Sequence, residues 1–348
     1  MVIMAKTKKE KATKKDQELS TLEIVEKQII KTYGEVVSML SDHEDMQIET
    51  ISTGSIGLDV ALGRGGMARG RIYEVYGNAG SGKSTLAFSV IAEAQKQGLQ
   101  CLIIDAEHGV DPKLVQDMGV DGDSVKLVQG FTGDANLDIA EKYVKTGEFG
   151  VAVIDSVTAL IPEAEAEGDI SDNFMGLLAR LMSKCCRRFA PLANRTNTLL
   201  IFINQFRMEI GRFGDPRKTT GGEAIPFFAT GRIAVEGGEY KSSRIPDPVT
   251  GEVMGHHMKF EVQKNKLSVP FRTASIPLIY GTGFDKHWEV VNIATDLDIL
   301  VKKGAWYSYK GENVAQGELN MRDVLKENDE LYKEIRSQVL EMVGLKNE

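Results

Sequence analysis

The octapeptide Gly77-Asn78-Ala79-Gly80-Ser81-Gly82-Lys83-Ser84 has the full Walker A spacing, GxxxxGK followed by serine. Without a Cβ, glycine lets backbone N–H groups converge on phosphate oxygens, and the helix expected to follow adds the positive end of its dipole. Lys83 supplies a point charge for the β and γ phosphates, and Ser84 a hydroxyl for Mg2+. A glycine-rich turn with a chance lysine is the alternative. The flanks argue against it, because an apolar strand pattern precedes the octapeptide and a helical one follows. Gly63-Arg64-Gly65-Gly66 has no such flanks and reads as an ordinary turn.

Two carboxylates and two lysines could complete a phosphate site. Asp155 ends the apolar run Val151-Ala152-Val153-Ile154, where the carboxyl edge of a parallel sheet would turn it toward the nucleotide and its Mg2+. Glu107 lies two residues beyond the strand Leu102–Asp105 and could accept a proton from the water attacking a γ-phosphate. Spacing alone divides evenly between that role and a plain surface glutamate. Lys264 and Lys266 share strand parity with Met258, Phe260 and Val262, so a buried face ending in two lysines would call for an anion. Exposed lysines at a strand end are the competing reading.

Positioning these groups takes an alternation of strands and helices. Arg71–Tyr76 reads as a strand, Leu86–Gln97 as a helix stopped by Gly98, and Cys101–Asp105 as the next strand. Val151–Asp155 and Thr198–Ile203 read as further buried strands, with a helix over Met175–Leu192 between them. This pattern predicts an α/β fold in which helices flank a mostly parallel twisted sheet. After Arg232 the chain turns β-rich, and from residue 283 to 348 it reads as a small α+β domain. Ahead of the core, residues 1–20 form a lysine-rich tail. Residues 21–49 carry an apolar stripe of Leu22, Ile24, Val25, Ile29 and Ile30, then Val36, Val37 and Leu40, that predicts one or two amphipathic helices needing a surface to pack on. Residues 50–282 form the core.

The 348 residues are 42% hydrophobic, enough for a large core, and the net charge of -8 leaves nucleic-acid contact to a local patch. The segment 207–222 offers one. Arg207, Arg212, Arg217 and Lys218 outweigh Glu209 and Asp215, and Gly211, Gly214, Gly221 and Gly222 loosen the backbone. A disordered surface loop with incidental arginines is the bland alternative. Cys101, Cys185 and Cys186 form no CxxC pair, which argues against a disulfide framework or a zinc module. No apolar stretch approaches bilayer length, so a soluble, cytoplasmic protein without membrane contact is expected.

Beside the Walker A octapeptide stand Glu49-Thr50-Ile51-Ser52-Thr53-Gly54-Ser55, Ile104-Asp105-Ala106-Glu107-His108 and Val153-Ile154-Asp155-Ser156-Val157. Further along come Glu167-Gly168-Asp169-Ile170, Phe202-Ile203-Asn204-Gln205, Thr219-Thr220-Gly221-Gly222, Lys264-Asn265-Lys266 and Gly304-Ala305-Trp306-Tyr307-Ser308-Tyr309-Lys310-Gly311. On these stretches, from about Thr50 to Gly311, the sequence closely resembles the bacterial RecA recombinase family, including versions carried by bacteriophages.

The resemblance implies an ATP-dependent recombinase that forms helical filaments on single-stranded DNA, pairs it with a homologous duplex and exchanges strands, with ATP and Mg2+ as cofactors. It implies that Glu107 activates water, that Gln205 senses the γ-phosphate, and that Lys264 and Lys266 reach ATP on the neighbouring protomer. Thr85, Asp111 and Tyr280 join the nucleotide set, with Ser84 and Asp155 on the metal. Two DNA loops, 163–175 and 207–222, nominate Met175, Gly176, Ser183, Arg187, Arg207, Met208, Phe213, Gly221 and Gly222. Phe227 and Arg232 match the subunit interface, and the N-terminal helix matches an element exchanged between protomers. Repressors that cleave themselves on the filament and loading mediators are further implied partners. This sequence departs from the family at Leu114, where an aromatic commonly stacks on adenine, at Pro226, often lysine, and at Glu223, usually neutral. A hexameric DNA motor of the same fold class is the nearest alternative. A small-molecule phosphotransferase and a purely scaffolding filament stand further off.

Overall fold

A computed structural model describes residues 20–34, 36–39, 48–169, 174–208, 217–238 and 241–346. The basic tail before Ser20, Leu40, and the loop residues 170–173 and 209–216, including Phe213, lie outside the described residues. The chain divides into two compact units, residues 1–48 and 49–348.

The first unit contains helix α1 (Thr21–Tyr33). Its start is fixed by a capping box, in which Glu23 N donates to Ser20 Oγ at 3.2 Å and Ser20 N donates to Glu23 Oε2 at 2.6 Å. Gly34, at φ 81°, closes the other end. Val36 and Val37 are not helical, so the described part of this region holds one helix, where one or two were expected.

The second unit opens with β1 (Thr50–Ile51), α2 (Ile56–Leu62), β2 (Met67–Ala68), β3 (Ile72–Gly77), α3 (Lys83–Lys96) and β4 (Gln100–Asp105). There follow α4 (Pro112–Asp117), β5 (Val125–Val128), α5 (Gly133–Lys145), β6 (Phe149–Asp155), α6 (Glu163–Ala166), α7 (Leu177–Thr196) and β7 (Leu199–Met208). Then come β8 (Arg217–Thr219), α8 (Ala224–Phe228), β9 (Gly231–Glu236), β10 (Arg244–Pro246), β11 (Val253–Asn265), β12 (Thr273–Ile279) and β13 (Gly283–Phe284). The last stretch holds α9 (Lys286–Asp296), β14 (Val301–Lys303), β15 (Trp306–Tyr309), β16 (Glu312–Gln316), α10 (Glu318–Glu327) and α11 (Asp329–Met342).

The central sheet runs β13-β12-β11-β9-β3-β7-β6-β4-β5. From β9 to β5 every pairing is parallel, and β11, β12 and β13 extend the sheet antiparallel. Because β3 lies between β7 and β9 while α3 leads on to β4 beyond β6, the carboxyl end of β3 opens at a change of winding direction, where such sheets bind ligands. On one face, Leu102, Ile104, Ala152, Ile154, Leu200 and Phe202 pack against α5 and α7 through Leu137, Val144, Met182, Cys186 and Phe189. The C-terminal three-stranded antiparallel sheet and its helices have their own core of Val290, Leu300, Tyr307, Met321, Ile335 and Val339, which also takes in Ile56 of α2.

Several boundaries differ from the sequence expectation, each for a local reason. Helix α3 starts at Lys83 rather than Leu86, because Gly82 takes the left-handed conformation at its N-cap. Helix α7 begins at Leu177 rather than Met175, because Gly176 is its N-cap, and it runs past Pro191 to Thr196, where Asn197 in the left-handed region stops it. Strand β7 does not end at Ile203. It leaves the core and continues to Met208, because β8 returns alongside it and satisfies its outer hydrogen bonds. The segment read as a loose loop is thus a hairpin at its base.

Candidate active site

Strand β3 delivers the phosphate-binding loop at the sheet edge, and glycine is required there for space as well as for φ. A Cβ on Gly77 would lie 2.2 Å from Val235 O, and one on Gly82 would lie 2.6 Å from Met258 Sδ. Gly80 has open space but a φ of 72°. Ala79 and Asn78 complete the turn. Thr85 occupies the first turn of α3 and is half-buried. Lys83, buried at the start of α3, donates from Nζ to Asn78 O at 2.7 Å within the loop.

Ser84 Oγ donates to Asp155 Oδ2 at 2.6 Å, so the two groups expected on Mg2+ already touch. Adjacent ligands of an octahedral Mg2+ stand about 2.9 Å apart, given Mg–O near 2.0–2.1 Å, so this hard-oxygen pair fits the ion. Burial raises the Asp155 carboxyl to about 6, and the neighbouring charges of Glu107 and Asp105 act the same way. The Ser84 hydrogen bond and Lys83 oppose the shift. A cation at this point would relieve three clustered acids.

Asp105, which the sequence reading passed over as a strand end, builds the turn that carries Glu107. It accepts Gly109 N at 3.1 Å, Val110 N at 3.1 Å and Gln129 Nε2 at 2.9 Å. Glu107 Oε1 then accepts a short bond from Ser156 Oγ and another from Gln205 Nε2 at 3.3 Å. The glutamate left undecided by spacing therefore sits beside Asp155 and meets the side chain following Asn204 on β7. Asn204 and Ser156 are site residues that the motif reading missed. A polar residue inside an apolar strand was the signal available for Asn204.

At the other rim, Asp111 caps α4, accepting Lys113 N at 2.9 Å, and Leu114 lies half-exposed in that helix. The Tyr280 hydroxyl meets His256 Nδ1 at 3.2 Å, and His256 is buried against Gly237 and Gly238, near Gly80. Tyr280 is thereby linked to the phosphate loop by a histidine that was not anticipated.

The expectation about Lys264 and Lys266 requires correction. A register shift opposite Ile233–Arg232 puts Val262 and Lys264 against consecutive residues of β9, so the alternation that buries Met258, Phe260 and Val262 does not extend to the lysines. Lys264 is half-buried, and Lys266 is exposed beyond the strand end. Lys264 Nζ donates to Pro226 O at 2.6 Å and Phe227 O at 3.0 Å, and Lys266 Nζ to Phe227 O at 3.3 Å. Burial, then the charges of Lys266 and Arg232, lowers the Lys264 ammonium below its usual value. These cations crowd the end of α8, and the Phe227 side chain beside them is 73% exposed.

The two loops nominated for DNA converge. Met175 is 82% exposed ahead of the N-cap Gly176, and Ser183 and Arg187 lie one turn apart on α7, 3.3 Å between Oγ and Nη1. Gly221 and Gly222, at φ 87° and 76°, approach Val157, Met182 and Ala179 so closely that an added Cβ would lie 3.0 Å from Val157 Cγ1 or Ala179 Cβ. The exit of the second loop is therefore seated on the helix that follows the first. Arg207 and Met208 are in β7, paired with Lys218 and Arg217 of β8. Glu223 is ion-paired to Lys218 at 3.2 Å.

A Walker A loop at the switch point of a parallel sheet, with a Ser–Asp pair and a glutamate ahead of it, defines a P-loop ATPase. Models of the RecA N-terminal domain and the RecA C-terminal domain match residues 20–285 and 288–344. The chain is 44% identical over 328 residues to Protein RecA of Bacillus licheniformis, covering 94% of this chain and 92% of that protein. It is 43% identical over 330 residues to Protein RecA of Bacillus subtilis, covering 94% and 93%. Among solved structures it resembles the RadB recombinase with a TM-score of 0.51 at 21% identity, covering 68% of this chain and 98% of that one, which speaks to fold. The chain belongs to the RecA family of ATP-dependent recombinases.

Proposed function

We propose that this chain binds ATP–Mg2+ in the loop after β3, hydrolyses it with Glu107 as general base, and uses that cycle to assemble and release a filament on single-stranded DNA during strand exchange with a homologous duplex. The observation that carries the reading is the Glu107–Gln205 hydrogen bond, because Gln205 lies on the strand that becomes the second loop. A γ-phosphate sensor at Gln205 would thereby act directly on a hairpin that faces DNA.

Lys83 would leave Asn78 O for phosphate oxygens, while Ser84 and Asp155 would hold Mg2+. Bound there, the ion offsets charge on the β and γ oxygens. Glu107, held by Ser156 and Gln205, orients the water and takes its proton. Tyr280 and Leu114 would contact the base. Lys264 and Lys266, with Phe227, form the edge presented to the ATP of an adjacent protomer, so that turnover depends on assembly. Residues 21–49 serve oligomerisation, 50–282 carry ATP and DNA, and 283–348 form the small C-terminal domain. No helix among the described residues is long and apolar enough to cross a membrane, and a protein acting on bacterial DNA would work in the cytoplasm. The hexameric motor finds no support in the family matches.

The test is ATP hydrolysis with and without single-stranded DNA at low and high salt, alongside electron microscopy of the same mixtures. Stimulated, salt-sensitive turnover with helical filaments supports the proposal. DNA-independent turnover by rings or monomers overturns it.

A further inference from the structure

Glu74 is completely buried at the centre of the sheet and takes no part in the chemistry above. Strand β3 pairs with β7 on one side and β9 on the other, setting Glu74 level with Phe202 and Arg232. A lone carboxylate there would be costly, and it is opposed from both sides. Arg232 Nε donates to Oε2 at 2.6 Å and Asn204 Nδ2 to Oε1 at 2.9 Å. The orientation of Asn204 is fixed by its partners. Its Nδ2 also donates to Thr220 O at 2.8 Å and its Oδ1 accepts Gln205 N at 2.9 Å, whereas the flipped amide would oppose oxygen to oxygen and N–H to N–H.

One buried carboxylate thus joins the sensor strand, the exit of the second loop and the subunit edge. Asn204 precedes Gln205, which reaches Glu107. Thr220 precedes the glycines seated on α7. Arg232 follows α8 by a few residues, lies 4.6 Å over the Tyr76 ring and neighbours Lys264. Tyr76 in turn meets Phe206 edge-on at 5.2 Å, and Phe206 pairs with Thr219 across the hairpin.

We propose that Glu74 is a positioning residue for DNA-activated hydrolysis, holding Asn204 and Arg232 so that displacement of the loop exit or of the α8–β9 edge is delivered to Gln205 and Glu107. This rests on the recombinase reading. Glu74 touches neither nucleotide nor DNA. Its fully buried carboxylate binds Asn204 on one side and the partly exposed Arg232 on the other, so a shift of either partner is felt at the same group.

The test compares wild type, Glu74→Gln, Arg232→Gln and the double variant in ATP turnover with and without poly-deoxythymidine. Glu74→Gln is expected to keep its DNA-free turnover and KM for ATP within about twofold while stimulation by DNA falls about tenfold, a split that general loosening would not produce. The double variant, which keeps an amide–amide hydrogen bond without buried charge, is expected to lose no more than either single one. A folded Glu74→Gln protein with undiminished stimulation overturns the proposal, as does an additive loss in the double. Absence of DNA stimulation in the wild type would instead sink the recombinase reading. Hydrogen exchange on the wild type covers the case in which the variants fail to fold. A non-hydrolysable ATP analogue should protect residues 217–222 and 230–234 together, and protection of one stretch alone counts against the coupling.

Discussion

Asp59 is buried, takes hydrogen bonds from Ser52 Oγ at 2.6 Å, Thr53 N at 2.8 Å and Thr53 Oγ1 at 2.6 Å, and is pushed by burial from 3.8 to about 7. The unfolded chain gives up this proton first as pH rises. The residue's stabilising contribution is therefore present at acid pH and is lost between about 4 and 7, with a ceiling on the order of 4 kcal/mol. Asn at position 59 can still accept both Thr53 donors, and Ser52 can turn to accept. Asp59→Asn is accordingly expected to raise the urea midpoint at pH 8 and to have little effect below about pH 4, and equal effects at both pH values would contradict this account. At the carboxylate proposed as general base, Glu107→Gln should slow hydrolysis by about 100-fold or more while ATP binding, followed by fluorescent-nucleotide titration, persists. Asp155 was singled out because it ends an apolar strand, whereas spacing left Glu107 undecided and only the family resemblance gave it a role. Asp105, Asn204 and Glu74 were not singled out, since their partners are distant in sequence and only the pairing of β3 with β7 and of β4 with β6 brings them together.

Strand β7 runs from the sheet edge beside Glu107 into the hairpin proposed to face DNA. Its apolar half was plain in the sequence, and its polar half, from Asn204 to Met208, was not, because pairing with β8 rather than composition keeps it extended. Gly222 tests the hairpin's seating. Gly222→Ala puts a Cβ 3.0 Å from that of Ala179 at a φ of 76°, a strain of about 1–2 kcal/mol. Affinity for poly-deoxythymidine should fall about tenfold in a polarisation titration, and unchanged affinity would remove this turn from the interface. Strand β11 shows the limit of periodicity. Alternation identified its buried residues and failed at Gln263, because an extra residue opposite β9 costs the sequence pattern nothing.

For the whole molecule, α1 has a well-formed cap and no buried residue among those described, although it carries Leu22, Ile24, Val25 and Ile30. Apolar side chains in such numbers gain by burial against another protomer. Deleting residues 1–34 should abolish filaments in electron microscopy and with them most DNA-stimulated turnover, and filaments that survive the deletion would assign assembly to the edge around Phe227 alone. The small C-terminal domain keeps its own antiparallel sheet, and it is fastened to the core by Glu289, which accepts Ser55 Oγ at 2.5 Å and the backbone N–H groups of Ile56 and Gly57 at 3.1 Å.

The amino-acid sequence by itself determined the phosphate loop, the order of strands and helices, the family and the charged loop, because each depends on neighbours within a few residues: glycine conformations, apolar periodicity and contiguous motifs. Tertiary structure alone decided that Gln205 reaches Glu107, that Lys264 and Lys266 leave the buried face, that Gly221 and Gly222 are packed on α7, and that Glu74 ties Asn204 to Arg232. These depend on strand order and register, which arise from burying whole faces together and leave no mark at any single position.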